Sequence, residues 1–283
     1  MAAIPPVVLT IAGFDPSSGA GITADIKTMA AHDCYGVACI TALTVQSTQG
    51  VRRVVGVDAK IVAETLAELA ADMSVEAVHI GMLGNEQVVA AVADFLGASQ
   101  LPHVVLDPIL KSSSGAELLE ASGTRMLIER LLPLAQVVTP NLDEASALTG
   151  MEVGNLDQMR EAAARLHSLG AANVVVTGGH LEKATDLLSF TTVRGTEREV
   201  FKAERQRSKA THGTGCAFST ALACHLAHGR GLPEAVLLAK AYVSAAIANA
   251  HAMGKGVGPL HHLYRLGQQR RVSAVVSEEE HAG

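Results

Sequence analysis

The sequence predicts an α/β protein in which a mostly parallel central sheet is flanked by helices. Apolar runs of strand length alternate with helix-length amphipathic stretches through most of the 283 residues, the pattern of strands joined by helical crossovers. Polar and glycine-rich turns stand just after those runs, where open α/β sheets bind ligands. With 48% hydrophobic but 3% aromatic residues, the core is aliphatic.

The first strand is Val7–Ala12, and Gly13-Phe14-Asp15-Pro16-Ser17-Ser18-Gly19-Ala20-Gly21 turns it into a helix, Gly21–His32. A second strand, Val37–Val45, ends at Gln46, and Val51–Val57 reads as a short edge strand whose hairpin forms a small lid. Helix Asp58–Met73 leads to strand Val78–Ile80, which is followed by Gly81-Met82-Leu83-Gly84 and helix Asn85–Phe95. Strand Val104–Asp107 stops at Pro108, because proline cannot donate to the ladder. Helix Ser122–Leu132 precedes strand Gln136–Thr139, and helix Leu142–Thr149 carries Glu144 in its first turn. Helix Leu156–Leu169 then returns to strand Val174–Thr177 and the turn Gly178-Gly179-His180. Beyond it the period shortens to that of an antiparallel hairpin, Leu187–Thr192 and Glu197–Ala203, turning near Gly195. Helices Gly215–His228 and Pro233–Ala252 close the fold. No linker divides the chain, so residues 1–267 are expected to form one domain and 268–283 a polar tail.

A net charge of −6 and no long Lys/Arg run exclude a nucleic-acid surface and favour a pocket in which helix N-termini, a lysine and a metal attract any anion. Four cysteines without framework spacing point to a reducing cytoplasm, and the short apolar run at Val7–Ala12 is not a signal peptide. The apolar stretch Pro233–Ala252 is expected to be a buried helix, since Lys240 at its middle would cost about 2.5–3.5 kcal/mol in a bilayer. No membrane partner is expected. His32 with Cys34 and Cys39, or His261 with His262, lack the spacing of a closed zinc set.

Thr211-His212-Gly213-Thr214-Gly215-Cys216 stands between a β-like run and an apolar helix. Its glycines let backbone approach a ligand, and the helix start adds positive partial charge, which suits a phosphoryl group. The stretches AGFDPSSGAGITADIKT, ITALTVQSTQGV, IGMLG, VVLDPIL, VTPNLDEASALTG, TGGH, THGTGCAFSTALA and GKGVGPLHH run in order from about residue 7 to 262. Together they resemble the hydroxymethylpyrimidine/phosphomethylpyrimidine kinases of thiamin synthesis, within the ribokinase-like superfamily.

That resemblance implies ATP and Mg2+ as cofactors and a small pyrimidine alcohol as substrate. It implies Asp25 and Gln46 as hydrogen-bonding partners of the aminopyrimidine, with Gly13 and Met82 along its plane. Asp107 and Glu144 become the magnesium positions. Thr177, Gly178, Gly179 and Asp186 match positions beside ATP, and Lys255 either reaches phosphate or satisfies a helix end. Gly213, Thr214 and Gly215 form the anion hole, and Cys216 stands where sugar kinases place an aspartate base. A helix N-terminus would lower its thiol pKa. Read without the resemblance, Asp25 is a first-turn helix charge, Gln46 a solvated loop residue, Asp107 a turn aspartate, Glu144 an exposed helix residue and Cys216 a small buried residue. Two departures are Phe14, where the family often has a small polar residue, and Ser113, where it often has lysine; Lys111 lies two residues earlier. The rival readings are a pyridoxal or pyridoxine kinase and a non-catalytic pyridoxal phosphate or pyrimidine binding protein. An apolar helix and an exposed sheet edge near Val51–Val57 predict a homodimer.

Overall fold

The computed structural model describes residues 4–266 apart from 113, 180 and 207. The tail reading and the readings of Ser113 and His180 lie outside the described residues. A nine-stranded sheet runs in the order β3-β2-β1-β4-β5-β6-β7-β8-β9. The strands are β1 (Val7–Phe14), β2 (Tyr35–Ser47), β3 (Gly50–Gly56), β4 (Val75–Ile80), β5 (Val104–Leu106), β6 (Val137–Val138), β7 (Val174–Gly178), β8 (Ala184–Thr192) and β9 (Gly195–Ala203). Pairings from β2 through β1 and β4 to β7 are parallel. The β2–β3, β7–β8 and β8–β9 pairings are antiparallel. Each strand read from the sequence is present, with ends shifted by a few residues.

Side-chain alternation divides the core into two layers. Leu9 and Ile11 of β1, Val104 and Leu106 of β5, and Val174 and Val176 of β7 join one cluster. It is covered by α2 (Ala59–Asp72), α3 (Glu86–Ser99), α5 (Leu142–Thr149) and α6 (Leu156–Ser168). Val8, Val105 and Val175 point the other way, toward α1 (Gly21–Ala31), α7 (Thr214–Ala227) and α8 (Leu232–Ala248). Every residue of α7 from Cys216 to Cys224 is buried, because the helix lies between sheet and neighbouring helices and has no polar face to turn outward.

Two helix readings are corrected. The stretch read as Ser122–Leu132 is α-helical only over α4 (Ala121–Met126), widens to a π turn over Leu127–Leu131 and tightens to a 3-10 turn at Leu132–Leu134, where Pro133 lacks the N–H that would continue the ladder. The last helix stops at Ala248, and Asn249 Nδ2 donates to the Ala245 carbonyl there.

Among the described residues no helix is long and apolar enough to cross a membrane. Lys240 is buried in α8 and donates to Asp186 Oδ2 of β8 at 2.7 Å. Lys240→Met would leave that carboxylate buried without its counter-ion, and unfolding in urea is expected to show a loss of roughly 3 kcal/mol. Adding Asp186→Leu should recover part of it.

Candidate active site

From β1 the chain builds outward through β2 to β3 on one side, then crosses back to β4 on the other side of β1 and continues outward to β9, and this change of direction opens a crevice beyond the carboxyl ends of β1 and β4. A cavity of about 590 Å³ fills it. Its walls come from the turns after β1, β4, β5 and β6, the end of the β2–β3 hairpin, Thr177 of β7 and the start of α7. The hairpin therefore overhangs the cavity as a lid, with Thr44, Gln46 and Val51 inside.

The β1–α1 turn is organised by Asp15, which the sequence reading gave no role. Its Oδ1 accepts from Ser17 N–H at 2.8 Å and Ser17 Oγ at 2.7 Å, and its Oδ2 accepts from Ala20 N–H at 3.0 Å. An Asx turn of this kind is legible in Asp15-Pro16-Ser17. His212 Nε2 reaches the same Oδ2 at 2.8 Å, a contact across 197 residues that local spacing cannot disclose. Burial alone would raise the Asp15 pKa, but the bonds from His212 and Ser17 outweigh it and hold the group below the usual carboxylate range.

At the other wall Gly213 caps α7 with φ +80°, and backbone N–H groups of the following turn are free of intrahelical partners by geometry. A Cβ on Gly213 would collide with the Gly19 carbonyl of the β1–α1 turn, while one on Gly215 would meet Asp107 Oδ2 at an ordinary 3.6 Å. The two loops thus touch backbone to backbone, and Asp107 faces the start of α7.

Asp107 and Glu144 both line the cavity and are nearly fully buried. Asn141 caps α5, and the Asn141 N–H donates to Glu144 Oε2 at 2.9 Å. Asp107 Oδ2 is buried without a hydrogen-bond partner among the described residues. Desolvation pushes Asp107 up to about 6 and Glu144 well above the usual range, with the Asp107 charge adding to the second shift. Two desolvated carboxylates, one of them with an unpartnered buried oxygen, fit a hard divalent cation.

Of the other expected site residues, Gly13, Met82, Gln46, Thr177, Thr214 and Cys216 line the cavity. Five do not. Asp25 is fully buried outside the lining, accepting from Thr10 Oγ1 at 2.7 Å and Thr220 Oγ1 at 2.9 Å at the helix–sheet junction. Asp186 is held by Lys240 and by the Gly178 N–H, which ties β8 to β7 and leaves Gly178 packed against the Thr185 carbonyl. Gly179 lies outside the lining beside open space. Lys255 is exposed in a loop that docks on Thr48 through the Gly256 N–H, and its neighbour Val257 reaches the cavity instead. The expectation of an acidic thiol is also corrected. Burial first, then the charges of Asp107 and Asp25, push Cys216 well above the ordinary thiol value, outweighing the backbone contact from Gly21 that favours the thiolate. Of the departures, Phe14 lies on the cavity wall and so does Lys111.

The family profile described as phosphomethylpyrimidine kinase matches residues 15–261. A "Hydroxymethylpyrimidine/phosphomethylpyrimidine kinase" of Streptomyces coelicolor is 41% identical over 265 residues, covering 93% of this chain and 97% of that protein. The "Thiamine biosynthesis bifunctional protein ThiED" of Geobacter sulfurreducens is 43% identical over 258 residues, 90% of this chain, and this chain spans 52% of its length. The solved ADP complex of Bacillus subtilis pyridoxal kinase superposes with a TM-score of 0.84 at 36% identity, covering 93% of this chain and 100% of that one. With the matched segment starting at Asp15 of the first turn and reaching past the α7 loop, the chain belongs to the phosphomethylpyrimidine kinase family.

Proposed function

We propose that the chain transfers the terminal phosphoryl group of ATP to 4-amino-5-hydroxymethyl-2-methylpyrimidine and then to the resulting monophosphate, giving the diphosphate used in thiamin synthesis. The observation that carries this reading is one cavity lined at once by Gln46, Gly13 and Met82, by the start of α7, and by the buried pair Asp107 and Glu144. Gln46 supplies a donor and an acceptor for the ring edge. Gly213, Thr214 and Gly215 present backbone N–H groups to the moving phosphoryl. Asp107 and Glu144 would hold Mg2+, which neutralises phosphate charge when bound. Thr177 stands on the nucleotide side.

Cys216 is the residue whose role changes most. A thiol held protonated cannot take the alcohol's proton, and alignment with charge neutralisation suffices for phosphoryl transfer. Cys216→Ala is therefore expected to slow both phosphorylations alike and by less than about tenfold, read by quenched-flow mass analysis of each product. A loss confined to the first step and of the 10²–10⁴ scale that general bases contribute would restore the base role.

The reading extends to residues 1–267 acting as one unit, to a cytoplasmic enzyme whose four cysteines are free thiols, and to a homodimer joined through Leu43, Val45 and Val55, apolar yet exposed on the lid hairpin. The likeness to a pyridoxal kinase favours one second reading, phosphorylation of pyridoxal. Turnover with ATP and Mg2+ on the pyrimidine alcohol, its monophosphate and pyridoxal, compared side by side by mass, tests the activity. Diphosphate from the pyrimidine is expected; a preference for pyridoxal moves the assignment to vitamin B6, and binding without turnover leaves a binding protein.

A further inference from the structure

Gln46 does not stand alone in the lid. Its amide nitrogen lies 3.1 Å from His212 Nε2 and its amide oxygen 3.1 Å from Thr44 Oγ1. The same His212 Nε2 is 2.8 Å from Asp15 Oδ2. A carboxylate can only accept, so that ring nitrogen carries the proton whatever the other nitrogen does. An amide N–H facing it is then donor against donor. Thr44 tells the same story from the opposite end. Its hydroxyl lies 2.9 Å from the Phe14 carbonyl, which also only accepts, so its proton is spent there and its oxygen wants a donor from Gln46. One half-turn of the carboxamide removes both mismatches, since the two ends of an amide are interchangeable in shape.

We propose that the Asp15–His212 pair is a positioning device that sets the polarity of the Gln46 carboxamide, with Oε1 sharing the one His212 Nε2–H with Asp15 Oδ2 in a three-centre bond and Nε2 donating to Thr44. This deepens, and rests on, the reading of Gln46 as the ring-edge contact. The remaining amide hydrogen and oxygen lone pair then meet the substrate in a fixed order. A ring nitrogen beside an exocyclic amino group supplies the matching acceptor and donor. A 4-hydroxy ring in its oxo tautomer presents a carbonyl to Gln46 Oε1 and a ring N–H to the amide N–H, acceptor against acceptor and donor against donor. The device is rigid. A Cβ on Gly19 would run into the His212 ring, the backbone N–H of His212 donates to the Gly258 carbonyl at 3.1 Å, and Asp15 is held by the donors of its own turn.

The test uses the full chain and needs no turnover. Long-range proton–nitrogen spectra of histidine-labelled protein should show a protonated Nε2 for His212, and an unprotonated Nε2 would overturn the proposal. Calorimetric Kd values for 4-amino-5-hydroxymethyl-2-methylpyrimidine and its 4-hydroxy analogue give the second readout. In His212→Phe the preference for the amino ring is expected to fall on the order of tenfold, the scale of one buried polar mismatch, whereas a merely structural role would weaken both rings equally and an unchanged ratio overturns the proposal. Thr44→Val removes the other anchor and should lower the same ratio, which keeps the test decisive if the histidine variant does not fold. Absence of phosphorylation by the wild-type chain would refute the kinase reading while leaving both of these readouts intact.

Discussion

Gly213→Ala is expected to lower kcat/KM by about a hundredfold or more, the cost of misplacing catalytic groups by about an ångström. The residue sits at φ +80°, where an L side chain loses roughly 1–2 kcal/mol. Its new Cβ would also collide with the Gly19 carbonyl. Both colliding partners are backbone, so neither can swing aside as a side chain would. The α7 start and the β1–α1 turn must part, and with them the anion hole and the Asp15–His212 contact. Steady-state kinetics with ATP and the pyrimidine alcohol check this, alongside the melting temperature. Gly215→Ala is the control for crowding without strain. Its Cβ meets Asp107 Oδ2 at 3.6 Å, so it should leave the melting temperature nearly unchanged. Equal behaviour of the two variants would refute the argument from backbone contact.

Asp107→Asn should separate activity from stability. Turnover is expected to fall on the order of 10²–10³-fold, since the carboxylate that would hold the cation is lost while the cavity keeps its shape. Stability without divalent cation should rise instead. The Asp107 carboxyl titrates at about 6 when folded against an ordinary 3.8. The folded protein therefore binds that proton more tightly than the unfolded chain, and wild-type stability is lost as pH climbs between those values. At neutral pH the loss is on the order of 2–3 kcal/mol, and asparagine, having no charge to bury, avoids it. Urea unfolding at pH 4 and pH 7 with chelator present reads both limits; the variant should gain at pH 7 and not at pH 4. Added Mg2+ should stabilise wild type and leave the variant unmoved.

The reach of sequence reasoning differs between the sheet and the site for identifiable reasons. Strands such as Val174-Val175-Val176 and helices such as Leu142–Thr149 announce themselves because burial imposes a period on neighbouring residues. Turn chemistry is equally local, so the glycines around α7 and the place of Glu144 in the first turn of its helix could be read directly. Asp25 shows where such reading stops. Its place in a motif identified it as a residue of interest, but whether its carboxylate meets solvent, ligand or protein depends on Thr10 and Thr220, from a strand and a helix far apart in the chain. Asp186 and Lys240 are separated by 54 residues and neutralise one another, a pairing inside the fold that local spacing does not disclose.

What the sequence by itself determined was the alternation of strands and helices and the loops that meet at one end of the sheet, which rest on short-range periodicity and turn chemistry, and, through the resemblance of its motifs, the family to which those loops belong. What only the tertiary structure decided was the electrical state of the groups in those loops. Cys216 keeps its proton because burial and the Asp107 and Asp25 charges act on it together, and Asp15 stays ionised because His212 arrives from the far end of the chain. Desolvation and charge depend on distance through space, and the order of residues along a chain does not specify that distance.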